Sequence, residues 1–318
     1  MPRGRPKRPK IPKRIIKLWL PTAGLVILFT VLIWVITEQY NRQILGQSTG
    51  LPRASYFPSG FFPSKHSENT EDTFAYLKKI VEGKKGNYSI YIQNLTTEKN
   101  YSINPTETFY AASLYKVPVA VSAVMYMTDS KKTLDDTVML ISSDFSSGTG
   151  VLGKYPAGTN LTYREIFESL LKESDNTAQT LLLRTIPSGY IAKGFSLNNT
   201  FVWNTEFLSD NITSSYYYAQ YLSEVYTGNY IPSDYRNFIF KTMENTSFDD
   251  RMTPYFKKGS IFSHKIGSWG DTQNWHDCGI LTNREQKFVV CVMSTRASFN
   301  VFKEVAEATA NFVNTLLF

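Results

Sequence analysis

Only two cysteines and three histidines occur among the 318 residues. So few cysteines exclude a disulfide-dense scaffold, and His66, His264 and His276 do not stand at metal-ligand spacing. Neither a metal nor a cofactor is expected. Charge of one sign is also scarce over most of the chain. The formal net charge of +7 arises at the N-terminus, where residues 1–17 hold eight Lys/Arg and no acid. That leaves 26 of the 34 basic side chains against all 27 acidic ones. A basic face for nucleic acid is thereby excluded. The chain has no internal repeat, and its 42% hydrophobic and 14% aromatic content suits an ordinary packed core.

The basic tail makes sense beside the apolar run that adjoins it. Residues 18–37, "LWLPTAGLVILFTVLIWVIT", carry no charge over a length that spans a bilayer as one helix. Trp19 and Trp34 lie near its ends, where amphipathic rings prefer the interface, and Pro21 falls in the first turn. A cleaved signal peptide would need a shorter apolar region and a small-residue cleavage site. "TEQYNRQIL" offers none. We therefore expect a single-pass signal-anchor at the cell membrane. Residues 1–17 form a basic cytoplasmic tail, 18–37 the transmembrane helix, 38–66 an extracytoplasmic linker rich in Gly, Pro and Ser, and 67–318 the folded domain outside.

Cys278 and Cys291 flank "GILTNREQKFVV". A turn centred on Arg284-Glu285 places them opposite each other on a hairpin, which admits a disulfide in an oxidising compartment. Many cross-strand positions have poor disulfide geometry, so the reading adopted is two buried thiols acting as small hydrophobes.

In the folded region, a helix is expected from Asn69 or Thr70, followed by strand, turn and strand through "NYSIYIQNL" and "YSINP". From about 113 to 250 the pattern is mostly helical, with a capping box at Thr162–Glu165. "SIFSHKIGSW", "HDCGILTN" and "KFVVCVMST" read as three antiparallel strands, and the C-terminal segment as an amphipathic helix. Strands early and late, with helices between, predict an α/β (α+β) domain. Its sheet is flanked by helices and joined to an all-helical lobe, with a cleft where the two meet.

Ser113 and Lys116 in "FYAASLYKVPVAV" are one helical turn apart and share a face. A serine hydroxyl needs a base within reach, and lysine serves only if burial or a neighbouring cation lowers its pKa. The spacing alone is weak, because Ser169-Leu-Leu-Lys172 repeats it inside a helix with a structural role. Two later segments sharpen it. Ser174-Asp175-Asn176 breaks two helical stretches, and Lys265-Ile266-Gly267 lies in a strand. Capping residues and an edge lysine are the plain alternatives for these two taken singly.

In that order, the three segments resemble the S-x-x-K, S-D-N and K-T-G signatures of class A β-lactamases and penicillin-binding proteins. The resemblance runs from about residue 69 to 318, with Ile266 in place of the usual Thr and Ser268 as a substitute hydroxyl. It implies a serine β-lactamase-like fold with a five-stranded antiparallel sheet. It also implies roles. Ser113 attacks the acyl carbonyl, Lys116 acts as or assists the general base, and Ser174 relays a proton to the leaving nitrogen. Asn176 holds the substrate amide, and Lys265, beside Gly267, attracts the substrate carboxylate. The backbone N–H groups of Ser113 and Ser268 form an oxyanion hole. The family's Glu-x-x-Leu-Asn segment, whose Glu activates the deacylating water, has its nearest counterpart in "WNTEFLSDNITSS". Aligning Leu208 puts Thr205 at the Glu position and Ser209 at the Asn position, so Glu206 is one residue out of register. The expected function is a membrane-anchored hydrolase of class A type that opens β-lactam amides through a Ser113 acyl-enzyme, with Glu206 as the deacylation candidate. The alternative is a penicillin-binding D,D-peptidase or a slowly deacylating β-lactam sensor, acting on peptidoglycan-derived peptides.

Overall fold

Five strands form one antiparallel sheet in a computed structural model that describes residues 65–197 and 211–317. The described chain opens with helix α1 (Lys65–Glu82), followed by β1 (Asn87–Asn94) and β2 (Asn100–Ile103). The two-residue β3 (Phe109–Tyr110) leads through a 3-10 turn at Ala112–Tyr115 into α2 (Lys116–Asp129). A small ribbon of β4 (Thr137–Met139) and β5 (Asn160–Thr162) precedes α3 (Tyr163–Lys172), α4 (Asn176–Thr185) and α5 (Ser188–Phe195). The short β6 (Ile212–Thr213) pairs with β3, and α6 (Ser215–Thr227) and α7 (Ser233–Glu244) come next. The chain then returns to the sheet as β7 (Ile261–Trp269), β8 (Asn274–Asn283) and β9 (Gln286–Thr295), and ends in α8 (Phe299–Leu316).

The strand order is β2–β1–β9–β8–β7, so β7 is an edge strand. The sheet separates two cores. On one face, α1 and α8 pack Phe74, Leu77, Phe302 and Phe312 against Ile90 and Val292. On the other, the helical lobe packs against Tyr91, Cys278 and Cys291. Strands β8 and β9 are buried on both faces, which is why β9 reads as a continuous apolar run, Phe288–Met293, while β8 keeps its buried polar residues His276 and Asp277 hydrogen-bonded. The predicted capping box forms: Thr162 Oγ1 accepts from the Glu165 amide at 3.2 Å, and Glu165 Oε2 accepts from the Thr162 amide at 2.8 Å.

Two expectations are corrected. Helix α1 begins at Lys65, ahead of Asn69 and inside the expected linker. The last helix-breaking residue upstream is Pro63, so nothing in the intervening sequence stops the helix sooner. The cysteines are not free thiols. The hairpin turns at Arg284-Glu285 as anticipated, Cys278 and Cys291 are directly opposed at a Cα separation of 4.0 Å, and the two are joined as a disulfide. Such closely opposed strand positions bring the β-carbons near enough to bridge. The proposed transmembrane segment 18–37 and most of the linker lie outside the described residues. Among the described residues no helix is long and apolar enough to cross a membrane.

Register ties the disulfide to the cleft. Lys265 on β7 pairs with Cys278, Cys278 with Cys291, and Cys291 with Tyr91, a single row on the face toward the helical lobe. On β7's opposite face, buried His264 bonds Asp277 Oδ1 through Nδ1 at 2.6 Å and Asp249 Oδ1 through Nε2 at 3.1 Å. Asp277 Oδ2 also accepts the Met252 amide at 3.1 Å. Burial alone would push the imidazole down, but the two carboxylates more than offset it and hold the pKa at about 9.

Both supports of the sheet can be tested through stability. Replacing both cysteines by alanine releases a cross-link of sequence separation 13. It should cost about 3 kcal/mol, read as a melting temperature lower by roughly 6–12 °C. The unfolded native chain should alkylate two thiols only after reduction. His264 gains affinity for its proton on folding, so its contribution is complete below about pH 6.5 and is lost as pH rises through about 9. The melting-temperature advantage of the native chain over His264→Asn should therefore be largest at pH 6 and shrink by pH 10, the effects of other groups being common to both.

Candidate active site

The nucleophile candidate sits at a strained turn. Ala112, immediately before Ser113, has φ 49°, a left-handed conformation that alanine adopts at a cost of about 1–2 kcal/mol. Contacts on both sides hold the turn. His276 donates from Nε2 to the Tyr110 carbonyl at 2.8 Å, and its Nδ1 accepts from the Ser294 amide at 3.3 Å. Burial lowers the His276 pKa to about 4, which keeps the ring neutral and able to make both bonds. The Ala111 amide donates to the Asn211 carbonyl at 2.7 Å, and Asn211 Nδ2 to the Ala112 carbonyl at 3.2 Å. Gly267 permits the approach of β7: a β-carbon there would stand 2.7 Å from the Ala111 carbonyl oxygen.

Lys116, one turn beyond Ser113, is 1% exposed. Its Nζ lies 3.0 Å from Ser113 Oγ, 2.6 Å from the Ser174 carbonyl, 3.3 Å from Ser174 Oγ and 2.6 Å from Asn176 Oδ1. Burial lowers its pKa to about 8, against an opposing pull from Asp175. In the neutral form, the two N–H donors match the two oxygens at 2.6 Å, and the lone pair is left to accept from the Ser113 hydroxyl. Lys265, equally buried, donates to Ser174 Oγ at 2.9 Å and to the Ile266 carbonyl at 3.3 Å. Its pKa is driven well down by burial and then by the charges of Lys116 and Arg251. Ser174 Oγ thus bridges two lysines.

The second motif is held by its own aspartate. Asp175 Oδ2 accepts the Val151 and Leu152 amides at 2.5 and 2.7 Å, and Oδ1 caps α4 through the Ala178 amide at 2.9 Å. Gly150 makes this clasp possible: at φ 132°, it leaves free the space in which a β-carbon would collide with the Asp175 carboxylate. The clasped loop adds a hydroxyl, with Thr149 Oγ1 donating to the Ser174 carbonyl at 2.6 Å. Asn176 Nδ2 donates to the Ser147 carbonyl at 2.7 Å.

Ser113, Ser174, Asn176, Asn211, Ser268 and Arg251 open on one cleft of about 610 Å³. The structure therefore brings together Ser113, Lys116, Ser174, Asn176, Lys265, Gly267 and Ser268. The Ser169–Lys172 pair stays apart within α3, with Lys172 exposed. Thr205, Glu206 and Ser209 lie outside the described residues. Sequence reasoning missed three features. The Gly148–Gly150 loop was signalled only by its paired glycines. Asn211 carried no signal of its own. Arg251, buried in the cleft wall, donates from Nη2 to Ser268 Oγ at 2.6 Å and from Nη1 to the Gly267 carbonyl at 2.9 Å. Nothing in "FDDRMTPYF" distinguishes that arginine from a surface one.

The chain resembles known proteins over this same region. The family model described as the Beta-lactamase enzyme family matches residues 73–316. Beta-lactamase VEB-1 of Pseudomonas aeruginosa is 22% identical over 246 residues, covering 70% of this chain and 82% of that protein. The solved structure of PBP-A superposes with a TM-score of 0.68 at 19% identity, over 77% of this chain and 95% of that one. The extended spectrum β-lactamase TLA-1 superposes with a TM-score of 0.67 at 18% identity, over 77% and 99%. At such identities the structural likeness establishes the fold alone. The family assignment rests on the match across residues 73–316, the region that contains the Ser113–Lys116, Ser174–Asn176 and Lys265–Gly267 segments: the chain belongs to the Beta-lactamase enzyme family.

Proposed function

We propose that this protein is a serine hydrolase that opens β-lactam amides through an ester on Ser113. The observation that carries the proposal is Lys116 Nζ, 3.0 Å from Ser113 Oγ, with a pKa lowered to about 8. Neutral Lys116 takes the Ser113 proton as Oγ bonds to the carbonyl carbon. The lactam C–N bond then breaks, and the proton passes by way of Ser174 to the leaving nitrogen. Lys265 and Ser268 hold the substrate carboxylate, and Asn176 the acyl-side amide. Water completes the cycle by attacking the ester and returning a proton to Ser113. Glu206 is the proposed base for that step.

A second reading is favoured by the register of that residue. If Glu206, one position away from the family's Glu, does not reach the ester, deacylation is slow. The protein then works as a penicillin-binding D,D-peptidase or as a sensor that reports covalent capture. Both readings place the domain outside the cell membrane, held by residues 18–37. Support comes from the uncharged run of twenty residues behind eight basic ones and from a buried disulfide suited to an oxidising compartment.

The full chain should be mixed with a chromogenic β-lactam and followed before steady state. Sustained turnover is the expected result, and a stoichiometric burst that then stops selects the second reading. Absence of both turnover and a Ser113 adduct by mass spectrometry overturns the two together. Glu206→Gln should lengthen the life of the acyl-enzyme if Glu206 is the deacylating base. Acylation should rise with pH to a plateau, half-maximal near the Lys116 pKa of about 8, because only the deprotonated amine accepts the Ser113 proton. Lys116→Ala should slow it by about 10²–10⁴-fold and abolish that limb.

A further inference from the structure

Beyond Ser268 the cleft changes character. Its wall there is formed by Phe248, Ile266, Trp275 and Phe299, with Asp250 at the rim. The rings surround a cation: the Arg251 guanidinium lies 5.9 Å from the Trp275 ring centroid and 5.5 Å from that of Phe299. Those two rings are 5.0 Å apart, and Trp275 is fixed by donating Nε1–H to the Ala297 carbonyl at 2.9 Å. Arg251 itself is clamped. Besides Ser268 Oγ and the Gly267 carbonyl, it donates to the His276 carbonyl at 2.5 Å. Both Nη groups thus donate to protein oxygens, Nε–H is buried without a hydrogen-bond partner, and the 3%-exposed guanidinium acts on an anion in the cleft chiefly through its charge. Ile266 contributes a methyl-rich surface where the motif usually supplies a hydroxyl. This end of the cleft therefore pairs one fixed positive charge with three half-buried aromatic rings, Phe248, Trp275 and Phe299, and the buried Ile266 side chain.

We propose that Phe248, Ile266, Trp275 and Phe299 form a leaving-group subsite around Arg251, which selects a carboxylate-bearing leaving group with a ring or branched hydrocarbon beside the carboxylate. The proposal rests on the reading of Ser113 as nucleophile and deepens it by naming the substrate class. The carboxylate lies between Lys265, Ser268 and the Arg251 charge, and the adjoining substituent stacks on the rings. A substituent as small as a methyl group would leave those rings facing water, whereas a phenyl group displaces that water from apolar surface.

The test uses the full chain and two thioesters that share an N-benzoylglycyl acyl half. One carries 2-mercaptoacetate as leaving group and the other 2-mercapto-2-phenylacetate. In each reaction Ser113 Oγ bonds to the carbonyl carbon, the C–S bond breaks, and the Ser113 proton ends on the departing sulfur. Second-order acylation is read from thiol release and from the mass of the Ser113 adduct, with penicillin labelling of Ser113 as a parallel measurement. The phenyl donor should acylate about 10-fold faster for at least one enantiomer. That ratio should fall towards one in Phe299→Ala and in Phe248→Ala. Equal rates for the two thioesters in the native chain overturn the subsite and leave the nucleophile standing. So does a phenyl preference that survives both substitutions. No adduct from either thioester or from penicillin overturns the nucleophile instead.

Discussion

The amino group of Lys116 has four oxygen neighbours within 3.3 Å and almost no water, and the rest of the cleft is arranged around keeping it there. A buried ammonium group is costly, and the cost is relieved when the proton leaves. A second buried lysine, Lys265, stands on the far side of Ser174, and its own pKa is driven well down by burial and then by the Lys116 and Arg251 charges. Asp175 stands near enough to pull the other way, yet its oxygens are spent on the Val151, Leu152 and Ala178 amides. The carboxylate thus organises the loop rather than pairing with the lysine. The chemistry proposed for Ser113 rests on this placement: an amine whose pKa burial lowers to about 8, in contact with a hydroxyl that a strained turn presents to the cleft.

The sheet supplies the rigidity that this arrangement requires. Lys265 belongs to a row that runs through the Cys278–Cys291 disulfide to Tyr91, so its strand is tied across the centre of the sheet despite lying at the edge. On the opposite face His264 and Asp277 anchor the segment that leads from α7 to β7. That segment carries Arg251 onto Ser268. The third motif is therefore supported from both faces at once.

How much of this the sequence made legible depends on the range of each interaction. Ser113 and Lys116 were readable because helical spacing alone sets their shared face, although the same spacing at Ser169 and Lys172 leads nowhere. Order along the chain separated the two pairs. The strands of the hairpin were readable from their runs of apolar residues, and its turn from its polar tip. The disulfide was misjudged because opposed cysteines bridge or not according to the local closeness of two backbones, which composition does not encode. Arg251 and Asn211 were invisible for a related reason. Each matters through a partner distant in sequence, Ser268 for one and Ala112 for the other. The Asp175 clasp lies between these extremes: helix capping was readable as the plain alternative for the Ser174–Asn176 segment, and Asp175 does cap α4, but the Val151 and Leu152 amides it also accepts are distant in sequence.

Everything proposed for the cleft requires that the fold lower the Lys116 pKa towards neutrality, so that the free base forms far below the ordinary lysine range. The most direct measurement is an NMR titration of the full chain labelled at lysine Cε, with the Lys116 resonance assigned by comparison with Lys116→Ala. A midpoint near 8 is predicted for this residue, below the ordinary lysine value of 10.5. A Lys116 resonance that titrates at about the unperturbed value would contradict it.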